Sequence, residues 1–202
     1  HNDALLTTPM YLRDPDEFRL SGTQGVILGY EGAPADPDPT DAYRAFEEVF
    51  RGPDELITAM LADYPDLFPP GATVADIGCG RGEFLRLLTE SGRTAVGVDQ
   101  DAGMLAAAQA ARTHEVVLGD GIAWLEGRPQ GSLGGVFAAQ FIEHLSQPDL
   151  LRFLRASHSA LDPKSGVLVA ETINPHFIPA QRAFWVDLTH QSIIYPEVAL
   201  AF

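Results

Sequence analysis

The chain is 202 residues long, enough for one α/β domain of ordinary size and too short for two large ones. With 46% hydrophobic and 20% charged residues it is expected to bury a core rather than stay disordered. Its formal net charge of −15 repels phosphate backbones and anionic lipid, which argues against nucleic acid or a membrane surface as a partner. The single cysteine, Cys79, excludes an internal disulfide framework and a cysteine-rich zinc module. No apolar run approaches the roughly 18 residues of a transmembrane helix. Residues 1–10 lack the basic and apolar regions of a signal peptide. The expectation is a soluble, cytoplasmic protein, with homo-oligomerisation left open.

In chain order, residues 1–40 read as loop. The stretch Ala33-Pro34-Ala35-Asp36-Pro37-Asp38-Pro39 removes backbone donors and steers the residue before each proline away from helix, giving a linker or an ordered arm. Thr40 or Asp41 can cap a helix running to about Phe50, with Ala42, Phe46, Val49 and Phe50 on one stripe. Gly52-Pro53 breaks it, and Pro53 suits the start of a second helix over 54–64. Pro69-Pro70-Gly71 separates this region, 1–70, from a core domain over 71–202.

From residue 72 strands and helices alternate. Strands are expected at Thr73–Ile77, Ala95–Val98, Glu115–Leu118, Val136–Ala139 and Val167–Ala170. Helices are expected at Glu83–Glu90, Asp101–Ala111, Ile122–Leu125 and Pro148–Leu161. Such alternation implies parallel strands with right-handed crossovers, hence an α/β fold with a doubly wound, mostly parallel, Rossmann-like sheet and helices on both faces, preceded by a helical arm.

The first strand and turn read Val74-Ala75-Asp76-Ile77-Gly78-Cys79-Gly80-Arg81-Gly82-Glu83-Phe84. Three glycines at alternate positions, after a strand and before a helix, permit positive φ and close approach of a ligand to the backbone. The spacing is G-x-G-x-G rather than the G-x-G-x-x-G of dinucleotide binders, and Asp76 precedes it. That carboxylate disfavours a pyrophosphate and suits a cationic ligand portion. Asp99, closing the second strand, can accept both hydroxyls of a ribose. Gly119-Asp120-Gly121, after the third, can meet the edge of an adenine, although Asp120 also suits a plain helix cap.

Asp76-Ile77-Gly78-Cys79-Gly80-Arg81-Gly82, Gly97-Val98-Asp99 and Gly119-Asp120 resemble, in this order, the motifs of the class I S-adenosylmethionine (SAM)-dependent methyltransferases. The resemblance implies SAM as cofactor, held by Asp76, Gly78, Cys79, Gly80 and Gly82, by Asp99 and Gln100, by Asp120 and Gly121, and by Gln140. Cys79 then serves as a small residue in the turn. Met104 either packs on the ribose or adenine or belongs to the core.

The fourth strand runs into Gln140-Phe141-Ile142-Glu143-His144-Leu145. The Glu-His-Leu element is similar to that of O-methyltransferases in which the histidine is general base, implying that role for His144. Removing a proton from a poorly acidic hydroxyl suits a neutral imidazole at physiological pH. Some relatives hold a divalent metal through an acid at the position of Gln140 together with the Glu and His. Here that residue is an amide, and Mg²⁺ held by Glu143 and other oxygen ligands stays open.

Glu171-Thr172-Ile173-Asn174-Pro175-His176, Asp187-Leu188-Thr189-His190 and Pro196-Glu197 resemble a branch of bacterial methyltransferases associated with polysaccharide synthesis, including the methyltransferase domain of O-antigen chain terminators. Leu188 stands where that branch has proline. The upstream Phe50-Arg51-Gly52 is similar to its F-R-G element. The branch implies a sugar or glycan acceptor. Asn174, His176, Asp187, Trp185 and Tyr195 offer the amides, carboxylates and flat faces that carbohydrates use, and Arg51 can meet the methionine carboxylate of SAM, an acidic acceptor or a surface carboxylate. His190 is the rival base to His144. In this family two further strands follow the helix that begins near Glu197, which the resemblance places after Phe202. The leading reading is thus a SAM-dependent O-methyltransferase of a sugar or polysaccharide precursor. The alternatives are a nicotinamide-dependent oxidoreductase on a similar fold and a non-catalytic SAM-binding protein.

Overall fold

The structure, a computed structural model, describes residues 18–21, 25–28, 54–110 and 114–199. The chain divides into two compact units, His1–Gly52 and Pro53–Phe202. Within the first, β1 (Phe18–Ser21) and β2 (Gly25–Leu28) pair antiparallel, with Phe18 opposite Leu28 and Ser21 opposite Gly25. This corrects the expectation that residues 1–40 are loop throughout. Val26-Ile27-Leu28, an apolar, mostly β-branched run behind Gly25, is a strand signal that the surrounding prolines and glycines obscure. The helix expected up to Phe50, the proline-rich stretch 33–39 and Arg51 lie outside the described residues.

The second unit opens with α1 (Asp54–Leu61) and a short 3₁₀ helix, Tyr64–Leu67, where a single helix over 54–64 was expected. Pro65 accounts for the division, because it has no amide to continue the helical ladder. Next come β3 (Thr73–Ile77), α2 (Glu83–Glu90), β4 (Thr94–Asp99), α3 (Ala102–Ala110), β5 (Glu115–Leu118), α4 (Gly121–Glu126), β6 (Gly135–Ala139), a 3₁₀ turn at Ile142–His144, α5 (Gln147–Ala160) and β7 (Val167–Glu171). Two helices close the described chain, α6 (Ile178–Val186) and the single turn α7 (Pro196–Ala199).

Strands β3 to β7 form one sheet in the order β5-β4-β3-β6-β7, every neighbouring pair parallel. The doubly wound architecture expected from the alternation is therefore the one observed. Residue parity along the strands separates the two cores. Ala75 and Ile77 of β3 and Val136 and Ala138 of β6 face α4 and α5, packing with Ile122, Leu125, Phe153, Ala156 and Ala160. Val74 and Phe137 face the other way, onto Leu61, Phe68, Phe84, Leu85, Leu88 and Leu105. Phe84 and Phe137 lie 3.9 Å apart by ring centroid, and Phe68 meets Phe137 edge-on. Both faces of the sheet are covered, which is why its strands read as short apolar runs rather than alternating ones. Among the described residues no helix is long and apolar enough to cross a membrane.

Parallel pairing places the carboxyl ends of all five strands at one edge. The order of chain entry reverses between β3 and β6, and in open α/β sheets the ligand crevice forms at that reversal. Gly82 illustrates how tightly the glycine turn is held beside it. Its φ is +82°, and a β-carbon there would stand 2.9 Å from Cβ of Ala108. Gly82→Ala is accordingly expected to cost about 1–3 kcal/mol from left-handed backbone strain and overpacking, read as a lower urea midpoint. An unchanged midpoint would show that the turn does not need this conformation.

Candidate functional site

The glycine turn leaves β3 in a left-handed series, with φ of 76° at Gly78, 52° at Gly80 and 82° at Gly82. The amides of Gly78 and Cys79 both donate to the carbonyl of Val98, tying the turn to the end of β4. Gly78 is exposed in the crevice, whereas Cys79 is buried against the strand that carries Gly97, where a β-carbon would come 2.7 Å from Sγ. Cys79 thus behaves as the small packing residue expected. Asp76 is buried at the end of β3. Asp99 has two structural partners: Oδ2 accepts from the Gly80 amide at 2.8 Å and Oδ1 from the Asp101 amide at 2.8 Å. Each carboxylate oxygen retains a second acceptor position. Gln100 is exposed beside it, and Met104 is buried in α3.

At the end of β5, Asp120 caps α4 by accepting from Ala123 N at 2.7 Å, the helix-cap role left open above. Gly121 is required by packing, since a β-carbon there would lie 2.4 Å from Cγ2 of Ile77. The turn thus presents the exposed Gly78 and the remaining lone pairs of Asp99 at this end of the sheet.

On the other side of the reversal, Gln140 leaves β6 with φ of 50°, a left-handed conformation rare for a residue with a side chain and a mark of functional strain. Its amide donates to the carbonyl of Glu171, and its side chain to Oε1 of Glu171 at 3.3 Å. Tyr64, from the 3₁₀ helix after α1, donates a short hydrogen bond to Oε2 of the same carboxylate. Burial, followed by this bond and the charge of Glu171, pushes the Tyr64 hydroxyl up to about 12. Neither Glu171 nor Tyr64 was assigned a role from the sequence. They lie 107 positions apart, and no local pattern links them.

The 3₁₀ turn after β6 positions Glu143 and His144. The backbone carbonyl of Glu143 accepts from Gln191 N at 2.8 Å and Ser192 N at 3.2 Å, and the Gln191 side chain donates to the carbonyl of His144. These bonds dock the 187–192 segment on the turn. They bring Asp187 and His190 to His144, with the two imidazole centroids 4.6 Å apart. Thr189 Oγ1 donates to Asp187 Oδ1 at 2.6 Å and lies 2.9 Å from His144 Nδ1. His190 Nδ1 pairs with the Phe184 carbonyl at 2.8 Å. Burial, then the neighbouring His190, pushes the His144 imidazole down, while Asp187 and the carbonyls of Thr189 and Gln140 act in the opposite sense. Burial thus favours the neutral form of the His144 ring, and both expected bases stand in one cluster with Asp187.

Other residues expected on the acceptor side fall elsewhere. Asn174 Oδ1 accepts from the His176 amide at 2.9 Å, shaping its own exposed turn. His176 stands edge-on to Tyr195 and 3.3 Å from Glu197. Trp185 is 71% exposed on α6, against Phe184. None of these four is bonded to the His144 cluster by the interactions described.

Glu143 itself is fully buried, with neither carboxylate oxygen in a hydrogen bond of normal geometry. Among the described residues one group of three donors could hold a metal ion, and it consists of His144, Asp187 and His190, without Glu143. Two imidazoles do not suit Mg²⁺, which takes oxygen ligands. Burial pushes the Glu143 carboxyl up from 4.5, against the opposing pull of its own backbone, Thr172 and His190. A raised acid pKa lets the folded state hold its proton to higher pH than the unfolded chain. The stability advantage is complete below the unfolded pKa and lost as pH rises through the folded value. Glu143→Gln, uncharged at every pH, is therefore expected to raise the melting temperature relative to the parent at pH 8, by a margin that shrinks as pH falls through the raised folded value and vanishes below 4.5. A pH-independent margin would show that Glu143 is not the group responsible.

Comparison with known proteins locates this site in a family. The model of a methyltransferase domain matches residues 74–164, which run from β3 to just before β7. A SAM-dependent methyltransferase from Archaeoglobus fulgidus is 36% identical, with a TM-score of 0.73 over 79% of this chain and 71% of that one. The CcbJ methyltransferase from Streptomyces caelestis is 25% identical, with a TM-score of 0.51 over 61% of this chain and 51% of that one. A chain of the complex between the Haloferax volcanii Trm112 methyltransferase activator and a methyltransferase is 19% identical and shares the fold, with a TM-score of 0.62 over 83% and 76% of the two chains. No curated protein matches the chain.

Proposed function

The chain belongs to the class I SAM-dependent methyltransferases, and from that premise we propose that it transfers the methyl group to a hydroxyl of a sugar or polysaccharide precursor. The observation that carries the proposal is the cluster of His144, Thr189, Asp187 and His190 beyond the end of β6, across the reversal from the glycine turn. SAM, when bound, supplies a methyl group on a positively charged sulfur that departs as a neutral thioether. The glycine turn receives the adenosyl and methionine portions on its backbone. Asp99 accepts the ribose hydroxyls with the lone pairs left over from Gly80 and Asp101. The acceptor hydroxyl is aligned by the residues above β6 and β7, and His144, held by Thr189, takes its proton. Alignment and proton removal are the enzyme's share of an in-line displacement.

The resemblance of Glu171-Thr172-Ile173-Asn174-Pro175, Asp187-Leu188-Thr189-His190 and Pro196-Glu197 to the polysaccharide-associated branch supports a glycan acceptor. The carboxylates of Glu171 and Asp187 beside the histidines favour a neutral sugar over an anionic one. Reading residues 71–202 as the catalytic core, with Asn174, His176, Trp185 and Tyr195 as an outer rim for the acceptor, completes the proposal. An oxidoreductase on this fold is not favoured, because the methyltransferase model spans the motif-bearing strands.

Transfer of labelled methyl from SAM to mannosides, glucosides and phosphosugars tests the acceptor, and SAM binding with no turnover on any of them would leave a binding protein. His144→Ala is expected to spare SAM affinity and lower turnover by about 10²–10⁴-fold. Because the His144 pKa is depressed, activity is expected to hold below pH 6.5 and fall only at lower pH. A break above pH 6.5, with the larger loss in His190→Ala, would transfer the role to His190. On the cofactor side, Asp99→Ala is expected to weaken SAM binding by about 1.5–3 kcal/mol. Asp99→Asn retains an oxygen for the Gly80 amide and separates lost ligand contacts from a loosened turn. Undiminished affinity in both would remove Asp99 from the cofactor site.

A further inference from the structure

The acceptor-side cluster gathers two imidazoles and a carboxylate. His190 Nδ1 lies 2.8 Å from the Phe184 carbonyl, which can only accept, so the ring proton is on Nδ1 and a neutral ring carries its lone pair on Nε2. That Nε2 stands 3.6 Å from Asp187 Oδ2, beyond hydrogen-bond range, and both side chains are nearly buried. The other oxygen, Asp187 Oδ1, is committed to the amide and hydroxyl of Thr189. The Thr189 hydroxyl proton thus goes to Asp187, and its oxygen is the acceptor for the Nδ1 proton of His144. One donor atom from each of His144, Asp187 and His190 lies within 4.8 Å of the other two. Ligand bonds of about 2.0–2.2 Å set tetrahedral donors about 3.3 Å apart, so the His190–Asp187 pair is already near that spacing, with the His144 donor within 4.8 Å of both.

We propose that His144, Asp187 and His190 bind a divalent transition-metal ion, of which Zn²⁺ is the probe. Two imidazoles and one carboxylate are a donor set for such an ion, whereas Mg²⁺ and Ca²⁺ take oxygen ligands. The supporting layer matches as well. Ligating histidines characteristically donate their second ring N–H to a carbonyl or other acceptor, as these two do to Phe184 and Thr189. The site differs from one built on Glu143. It depends on the methyltransferase reading only in sharing His144, and an ion bound there occupies the base.

The experiment is Zn²⁺ titration of the metal-stripped full chain against a chromophoric chelator, with calorimetry. One ion per chain is expected. His190→Ala and Asp187→Asn should abolish the competition. Thr189→Val leaves all three ligands in place and should weaken binding by roughly 10–100-fold, the usual effect of losing an outer partner. Absence of binding, or equal binding in His190→Ala and Asp187→Asn with native far-UV spectra, overturns the site. Methyl transfer is then measured at one equivalent of Zn²⁺. Suppression fits a site that occludes the base. Dependence on the ion sustains the site and overturns the base role of His144 instead. The two readings can therefore fail separately.

Discussion

The parallel pairing of β3 with β6 is the constraint on which the rest of the second unit depends. Val74, Ala75 and Asp76 sit opposite Gly135, Val136 and Phe137, and the chain winds outward from this seam in both directions. The seam is close-packed because it is small on one side. A β-carbon at Gly135 would stand 2.3 Å from the Phe68 ring, and one at Gly134 would stand 2.5 Å from Ala72. With the seam fixed, the turn after β3 and the turn after β6 must open at the same edge, facing each other. The glycine turn and the histidine cluster are thereby brought to one edge, although more than sixty positions separate Gly78 from His144.

The two halves of the edge are held by different physics. On the β3 side the backbone is the device: left-handed glycines, with Gly80 and Gly82 buried and an aspartate accepting from Gly80, leave Gly78 exposed. On the β6 side the device is a docked loop. The carbonyl of Glu143 takes two amides from the 187–192 segment, and this contact brings Asp187, Thr189 and His190 to His144. Its cost is a carboxylate buried without good partners, which favours the neutral acid. That neutrality also limits the negative charge beside an imidazole that must stay unprotonated.

Five strands were legible in the sequence because each is a short apolar run, four of them closing on a glycine or an acid and β6 on Gln140. Helix boundaries moved by a residue or two at caps such as Ser146 and Asp120. Helix α6 escaped notice because Ile178 and Trp185 face solvent while Phe184 is buried, a single inward residue that gives no amphipathic stripe. The hairpin was hidden among turn-forming residues. In the site, the glycine series and Asp99 could be read locally, since strand-turn-helix geometry is local. The pairing of Tyr64 with Glu171 and of Thr189 with His144 could not, because each joins segments that meet only through the completed sheet.

The acceptor-side cluster follows from a competition over one proton. Thr189 cannot donate to both Asp187 and His144, and the 2.6 Å bond to Asp187 decides which acceptor receives it. That choice fixes the tautomer of His144 through a side chain with no charge of its own. Removing the Thr189 hydroxyl would leave Asp187 with the Thr189 amide alone and free the His144 ring to turn. Proximity of His190 then acts on the same ring from another side: with the two centroids 4.6 Å apart, the neighbouring imidazole adds to burial in disfavouring protonation of His144. A neutral ring of defined tautomer is what a base requires, and it is equally what a metal requires of a ligand. On the two proposals made above, the same geometry would serve either cation, a proton from the acceptor or a divalent ion, and occupancy by one would exclude the other.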